Sequence, residues 1–164
     1  MSCTTRIRPF TAAEDPKFLD HDCFDWQGIQ LAIEKNQKKG RFVAGGSTIS
    51  QQLAKNLFLS PSRSLWRKGN EAVITLLLEN LWSKQRIFEV YLNVIEWGNG
   101  VFGAEAAARH YFNRSAQQLT AAQAARLAGM VPNPRYYDTH RNAPGLARKS
   151  AIILARMQAA KLPQ

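Results

Sequence analysis

The chain has 164 residues, 45% of them hydrophobic, and carries 22 Lys plus Arg against 12 Asp plus Glu, for a formal net charge of +10. That is enough for one domain with a real core, and it excludes a disordered chain. The basic excess points to an anionic partner, whether nucleic acid, an anionic membrane surface or a phosphorylated substrate, and charge alone does not choose among them.

The first dozen residues lack the apolar centre of a signal peptide and read as a loose leader over 1–10, ahead of one domain over 11–160. Cys3 falls in that leader, so a disulfide with Cys23 is not favoured. The pair Glu14-Asp15 opens the first ordered segment, with Phe18, His21, Phe24 and Trp26 close in sequence. A carboxylate against rings can be turned into a general base by desolvation, whereas an acidic pair opening a short helix serves only its dipole.

Asp25 can cap a helix whose Trp26, Ile29, Ala32 and Ile33 make an apolar stripe, closed by Gly40. A glycine-bearing loop over 43–46 leads to Ser47 or Thr48, and Thr48 with Gln51 reads as a capping box. In the helix that follows, Ile49, Leu53 and Leu57 share one face and Thr48, Gln51, Gln52 and Lys55 the other. Such a polar stripe either faces water or lines a site for sugar hydroxyls and a phosphate.

After a polar turn over 60–64, a long helix is expected from Leu65 to Trp82. Its longest greasy stretch is broken by Thr75, Glu79 and Asn80, far short of the roughly 20 apolar residues that span a bilayer. Arg63, Arg67 and Lys68 could surround a pyrophosphate together with Lys55, or Arg67 could simply pair with Glu71 at i, i+4. Leu57, Phe58, Leu59, Leu65 and Trp66 are dense for a connecting region and suit either shallow membrane insertion or packing.

Ser83 caps a further helix with Ile87, Val90, Tyr91 and Val94 inward. Gly98 to Gly103 reads as a turn-rich loop, followed by helices over 104–112, from the Thr120 cap to Met130, and over 144–160. Pro132 and Pro134 end the sixth of these helices, and Leu146, Ile153 and Met157 face inward on the last. No segment alternates as a strand, so the class is all-α or mostly helical. The three histidines, His21, His110 and His140, lie far apart, and no Cys/His metal spacing appears.

Several blocks together resemble the glycosyltransferase family 51 domain, most nearly its monofunctional peptidoglycan glycosyltransferases. They are residues 13–18 with His21, Phe24 and Asp25; GGSTISQQLAKNLF over 45–58; Arg67-Lys68 with Glu71 and Glu79; residues 90–93; 98–112; and 124–134 with Arg148. The resemblance implies a lysozyme-like, two-lobed helical fold that polymerises lipid II, a lipid-linked disaccharide, into β-1,4 glycan with inversion, releasing undecaprenyl pyrophosphate. It gives Glu14 as general base and Glu71 as a second essential glutamate. Lys55 and Arg63 would hold the donor pyrophosphate, with Ser47, Thr48, Gln51, Gln52, Arg67 and Lys68 around it. Glu71 would either orient Arg67 or help hold a divalent cation, Mg or Mn, on the phosphates.

The implied partners are lipid II, the growing lipid-linked glycan, the bacterial inner membrane and other cell-wall synthesis and division proteins, with no nucleic acid. The implied place is periplasmic, at the outer face of that membrane. Two features depart from the family pattern. Cys23 stands where glycine is usual, and the N-terminal transmembrane helix is absent, which reads as a shortened chain or a misplaced start. The rivals are a glycan-cleaving lytic transglycosylase or lysozyme, and a nucleic-acid-binding domain for which no helix-turn-helix, zinc-finger or ribonucleoprotein signature is found.

Overall fold

The computed structural model describes residues 3–15, 18, 25–40, 47–59 and 64–157. Its elements are α1 (Cys3–Glu14), α2 (Trp26–Lys39), α3 (Ile49–Phe58), α4 (Leu65–Leu81), α5 (Lys84–Val94), β1 (Glu96–Gly98), β2 (Val101–Phe102), α6 (Ala104–Phe112), a 3₁₀ turn (Ala116–Gln118), α7 (Ala121–Met130), α8 (Pro134–Thr139) and α9 (Pro144–Arg156). The all-α expectation stands.

Side-chain caps fix the starts of α3, α4, α5 and α7. Thr48 accepts from the Gln51 N–H while the Gln51 side chain accepts from the Thr48 N–H, and Thr120 with Gln123 repeats this box on α7. Ser64 and Ser83 cap α4 and α5 by accepting from the Arg67 and Arg86 N–H groups. Each cap satisfies donors that a helix start otherwise leaves open.

Four features depart from the pattern reading. The stretch read as a loose leader is the body of α1, with Pro9 inside it. Nothing in its composition favours a helix, but Pro9, Phe10, Thr11 and Ala12 are buried, and α1 packs on α7 and α9. Tertiary burial thus overrides propensity. Second, Pro134 starts α8 at its first turn instead of ending the ordered pattern, because a first-turn residue needs no N–H.

Third, residues 96–102 form an antiparallel ribbon too short to show alternation. Gly100 and Gly103 take positive φ, and a Cβ on Gly103 would lie 2.8 Å from the Asn93 carbonyl oxygen. Fourth, the α2 stripe is not a core face: Trp26 is 72% exposed and Ile33 is also exposed, while Ile29 is half-buried.

The helices fall into two packed groups, α1 with α7 and α9, and α3 with α4 and α5. Ile49, Leu53, Ile87, Tyr91, Trp97, Leu127 and Leu146 belong to one continuous core that runs through both. Trp97 packs on the α1–α7 side: its ring meets Phe10 edge-on at 5.8 Å, and its Nε1–H donates to the Leu127 carbonyl at 3.1 Å.

Candidate active site

The end of α1 meets the start of α3 at the acidic pair. Asp15 is buried and accepts the Ile49 N–H through Oδ2 at 3.3 Å, so it sits at the positive end of α3. Glu14 is the last residue of α1, at the negative end of that helix. Of the two readings open for the pair, stabilisation of Glu14 by the dipole of its own helix does not hold, since Glu14 closes α1.

Glu14 is half-buried. Desolvation is the largest influence on its carboxyl and pushes its pKa above the ordinary value. A hydrogen bond from Gln52 opposes this, as do the positive charges of Lys149 and Lys55, while Asp15 reinforces it. Phe18 packs toward Phe88 in the core with Lys84 Nζ 4.7 Å from its ring, and Trp26 is exposed. His21 and Phe24 lie outside the described residues.

The polar face of α3 is an interior face over much of its length. Thr48 and Gln51 are buried, Gln52 is half-buried, and only Lys55 is exposed. Gln52 Nε2 donates to Glu14 Oε2 at 3.0 Å, and its Oε1 accepts from the fully buried Tyr91 hydroxyl at 3.1 Å. Ser47 is exposed ahead of the cap. The apolar face buries Ile49 and Leu53 but leaves Leu57 and Phe58 exposed.

On α4, Glu71 is only 3% exposed and takes two cations, Arg67 Nη1 at 3.2 Å on Oε2 and Lys68 Nζ on Oε1. Arg67 is 18% exposed and Lys68 51%. Arg67 Nε is buried without a hydrogen-bond partner. The i, i+4 pair that the sequence allows is thus formed, and it is a largely buried one. Arg63 lies outside the described residues. No hydrogen bond or ion pair among the described residues joins Glu71 to Glu14.

One contributor was not singled out from sequence. Lys149 on α9, a helix packed against α1, faces Glu14, whereas the resemblance names its neighbour Arg148. Glu79 ties three helices together, accepting from the Ser50 hydroxyl of α3 and from Lys84 Nζ of α5 at 2.7 Å. Among the described residues no group of three or more His, Cys, Asp or Glu is placed to hold a metal ion, and both Glu71 oxygens already face cations. No described helix is long and apolar enough to cross a membrane. A groove of about 390 Å³ between α7 and α9, lined by Ala122, Gln123, Arg126, Ala147 and Ala151 among others, includes none of the predicted site residues.

Comparison with known proteins places these residues in context. Residues 4–158 match the family model described as Transglycosylase. Proteins named biosynthetic peptidoglycan transglycosylase from Dechloromonas aromatica (strain RCB), Methylobacillus flagellatus and Chromobacterium violaceum are 78%, 69% and 65% identical over 156 residues. In each case the match covers 95% of this chain and 68% of the relative.

Proposed function

Because this chain belongs to the transglycosylase family and is a glycosyltransferase of peptidoglycan synthesis, we propose that it joins lipid II units into β-1,4 glycan, with Glu14 as the base. The carboxylate takes the proton of the acceptor sugar's 4-hydroxyl as that oxygen attacks the donor's anomeric carbon. The bond to pyrophosphate breaks on the opposite face, so configuration inverts and undecaprenyl pyrophosphate departs. The proton stays on Glu14 until solvent removes it.

The observation that carries this reading is the environment of Glu14. Burial and the neighbouring Asp15 charge make its carboxylate a better proton acceptor, while Gln52 holds it in one direction. Glycosidases need a second carboxyl acid because an alkoxide leaves poorly, whereas pyrophosphate leaves readily and asks only for fixed positive charge. Lys55, Arg67, Lys68 and Arg63 supply that charge in this reading, with Ser47, Thr48 and Gln51 shaping the start of α3 beside them. Glu71 sets the direction of Arg67 and Lys68. A divalent cation on the phosphates, Mg or Mn, would need Glu71 to exchange one of the two cations it already faces.

The substrate's lipid tail stays in the bilayer, so the working surface meets headgroups at the outer face of the inner membrane. Leu57, Phe58 and Trp66, the last 81% exposed, suit that approach alongside the net charge of +10. The experiment is polymerisation of lipid II by wild type and Glu14→Gln, with and without Mg²⁺ or Mn²⁺. A loss of about 10²–10⁴-fold in a folded Glu14→Gln protein is expected. Near-normal turnover by that variant removes Glu14 from the base role.

A further inference from the structure

A side-chain amide can present either end to a neighbour, and the choice matters at Gln52. With Nε2 toward Glu14 it donates to the carboxylate and favours the charged form. Turned over, it would present Oε1, which repels a carboxylate and welcomes a protonated acid. The difference lies in what stands at the other end of the amide. There the Tyr91 hydroxyl, with its ring fully buried on α5, donates to Oε1 at 3.1 Å.

Turning the amide over would take away the acceptor that the Tyr91 hydroxyl has, a costly change for a buried donor. Burial, followed by the negative charges of Glu14 and Asp15, raises the tyrosine's own pKa well above its ordinary value, so the hydroxyl keeps the proton it donates. Resting on the reading of Glu14 as the base, we propose that Tyr91 is a positioning residue whose hydroxyl fixes the direction of the Gln52 amide and so keeps a donor on the carboxylate. Tyr91 reaches no substrate in this scheme. It acts at one remove, through Gln52.

The charged groups around Glu14 stay the same when Tyr91 changes. Among the described residues they are Asp15 beside it, Lys55 on α3 and Lys149 on α9. Arg126, the only ionisable residue of α7, donates to the Arg141 carbonyl, and the 3₁₀ turn of residues 116–118 carries no ionisable side chain. Tyr91→Phe removes one oxygen and keeps the ring, so its effect on titration reports the amide alone.

The direct test is a titration of Glu14 in the full chain, following the side-chain ¹³C carboxyl signal in wild type and Tyr91→Phe, with Glu14→Gln to assign it. Without the hydroxyl the amide can turn to suit the protonated acid, and the midpoint should rise by roughly one unit. The acid limb of the lipid II polymerisation profile should move upward with it, while the alkaline plateau is largely kept. A merely structural role would lower the whole profile without moving the limb.

Should Tyr91→Phe fold poorly, Gln52→Met removes the amide at similar length and should shift the Glu14 midpoint upward at least as far. Unchanged Glu14 titration in a folded Tyr91→Phe or Gln52→Met protein overturns the proposal, even if Glu14→Gln is inactive. Conversely, an active Glu14→Gln protein would sink the base assignment, while the carboxyl titration would still judge the amide lock by itself.

Discussion

Glu71→Gln separates the two roles open to that residue, because the structure lets the effect be sized. Removing one partner of a fully buried ion pair costs about 3–5 kcal/mol. Lys68 is 51% exposed and adds little of this, since solvent screens it. Arg67 is only 18% exposed and has Glu71 as its hydrogen-bond partner, with Nε already unpaired. The new amide oxygen can still accept one bond from it, which reduces the loss to about 1.5–3 kcal/mol. For a domain of this size that is a fall in Tm of roughly 4–10 °C.

Thermal unfolding by circular dichroism reads this directly, and lipid II polymerisation on the same samples reads function. The pair Arg67→Met plus Glu71→Leu removes both charges together and should regain much of the lost stability with no regain of activity. A Glu71→Gln protein that melts with the wild type would show that Glu71 is not the counter-ion holding Arg67. So would a double variant that melts below both singles.

Glu14→Gln should also stabilise the protein at neutral pH. A carboxyl whose folded pKa is raised loses folding free energy as pH climbs from its unfolded value through its folded one. The gain over wild type should therefore vanish in acid, near the ordinary value of 4.5, and a pH series of denaturant melts checks it. Lys55→Ala should reduce polymerisation far more than Lys38→Ala or Lys39→Ala, since Lys55 faces Glu14 while the other two end the exposed helix α2. Equal small losses in steady-state rate would mean that bulk charge is what matters. Gly98→Ala would place a Cβ 2.5 Å from the Tyr111 hydroxyl and 2.9 Å from Asp138, whose side chains bond each other at 2.9 Å. It should cost about 2–4 kcal/mol in denaturant unfolding.

The helices from α3 onward were largely legible because their starts are written in short polar caps. Thr48, Ser64, Ser83 and Thr120 each bond a backbone N–H three residues on, a local event that needs no knowledge of the rest of the chain. What escaped the sequence is decided across the fold. α1 is helical where its sequence is indifferent, since its end is buried between distant helices. Trp26 and Ile33 look like core on a helical wheel, yet both are exposed. At the site, motif resemblance named Glu14, Gln52 and Glu71, but burial of the polar face of α3 and the approach of Lys149 depend on contacts over more than 30 and 130 positions. Spacing along one helix carries no such information.

The two carboxylates at the end of α1 differ by a single methylene, and the site uses that difference as a ruler. Asp15 is short and spans only to the neighbouring backbone at Ile49, whereas Glu14 is long enough to reach a side chain on the second turn of α3. Exchanging the two residues would leave composition, length and net charge untouched. An aspartate at position 14 would nevertheless stop about 1.5 Å short of its partner, the length of one carbon–carbon bond. Misplacement on the order of 1 Å is enough to cost a reaction about 10²-fold. The order of these two letters is thus a statement about reach, and it cannot be rewritten with the same alphabet.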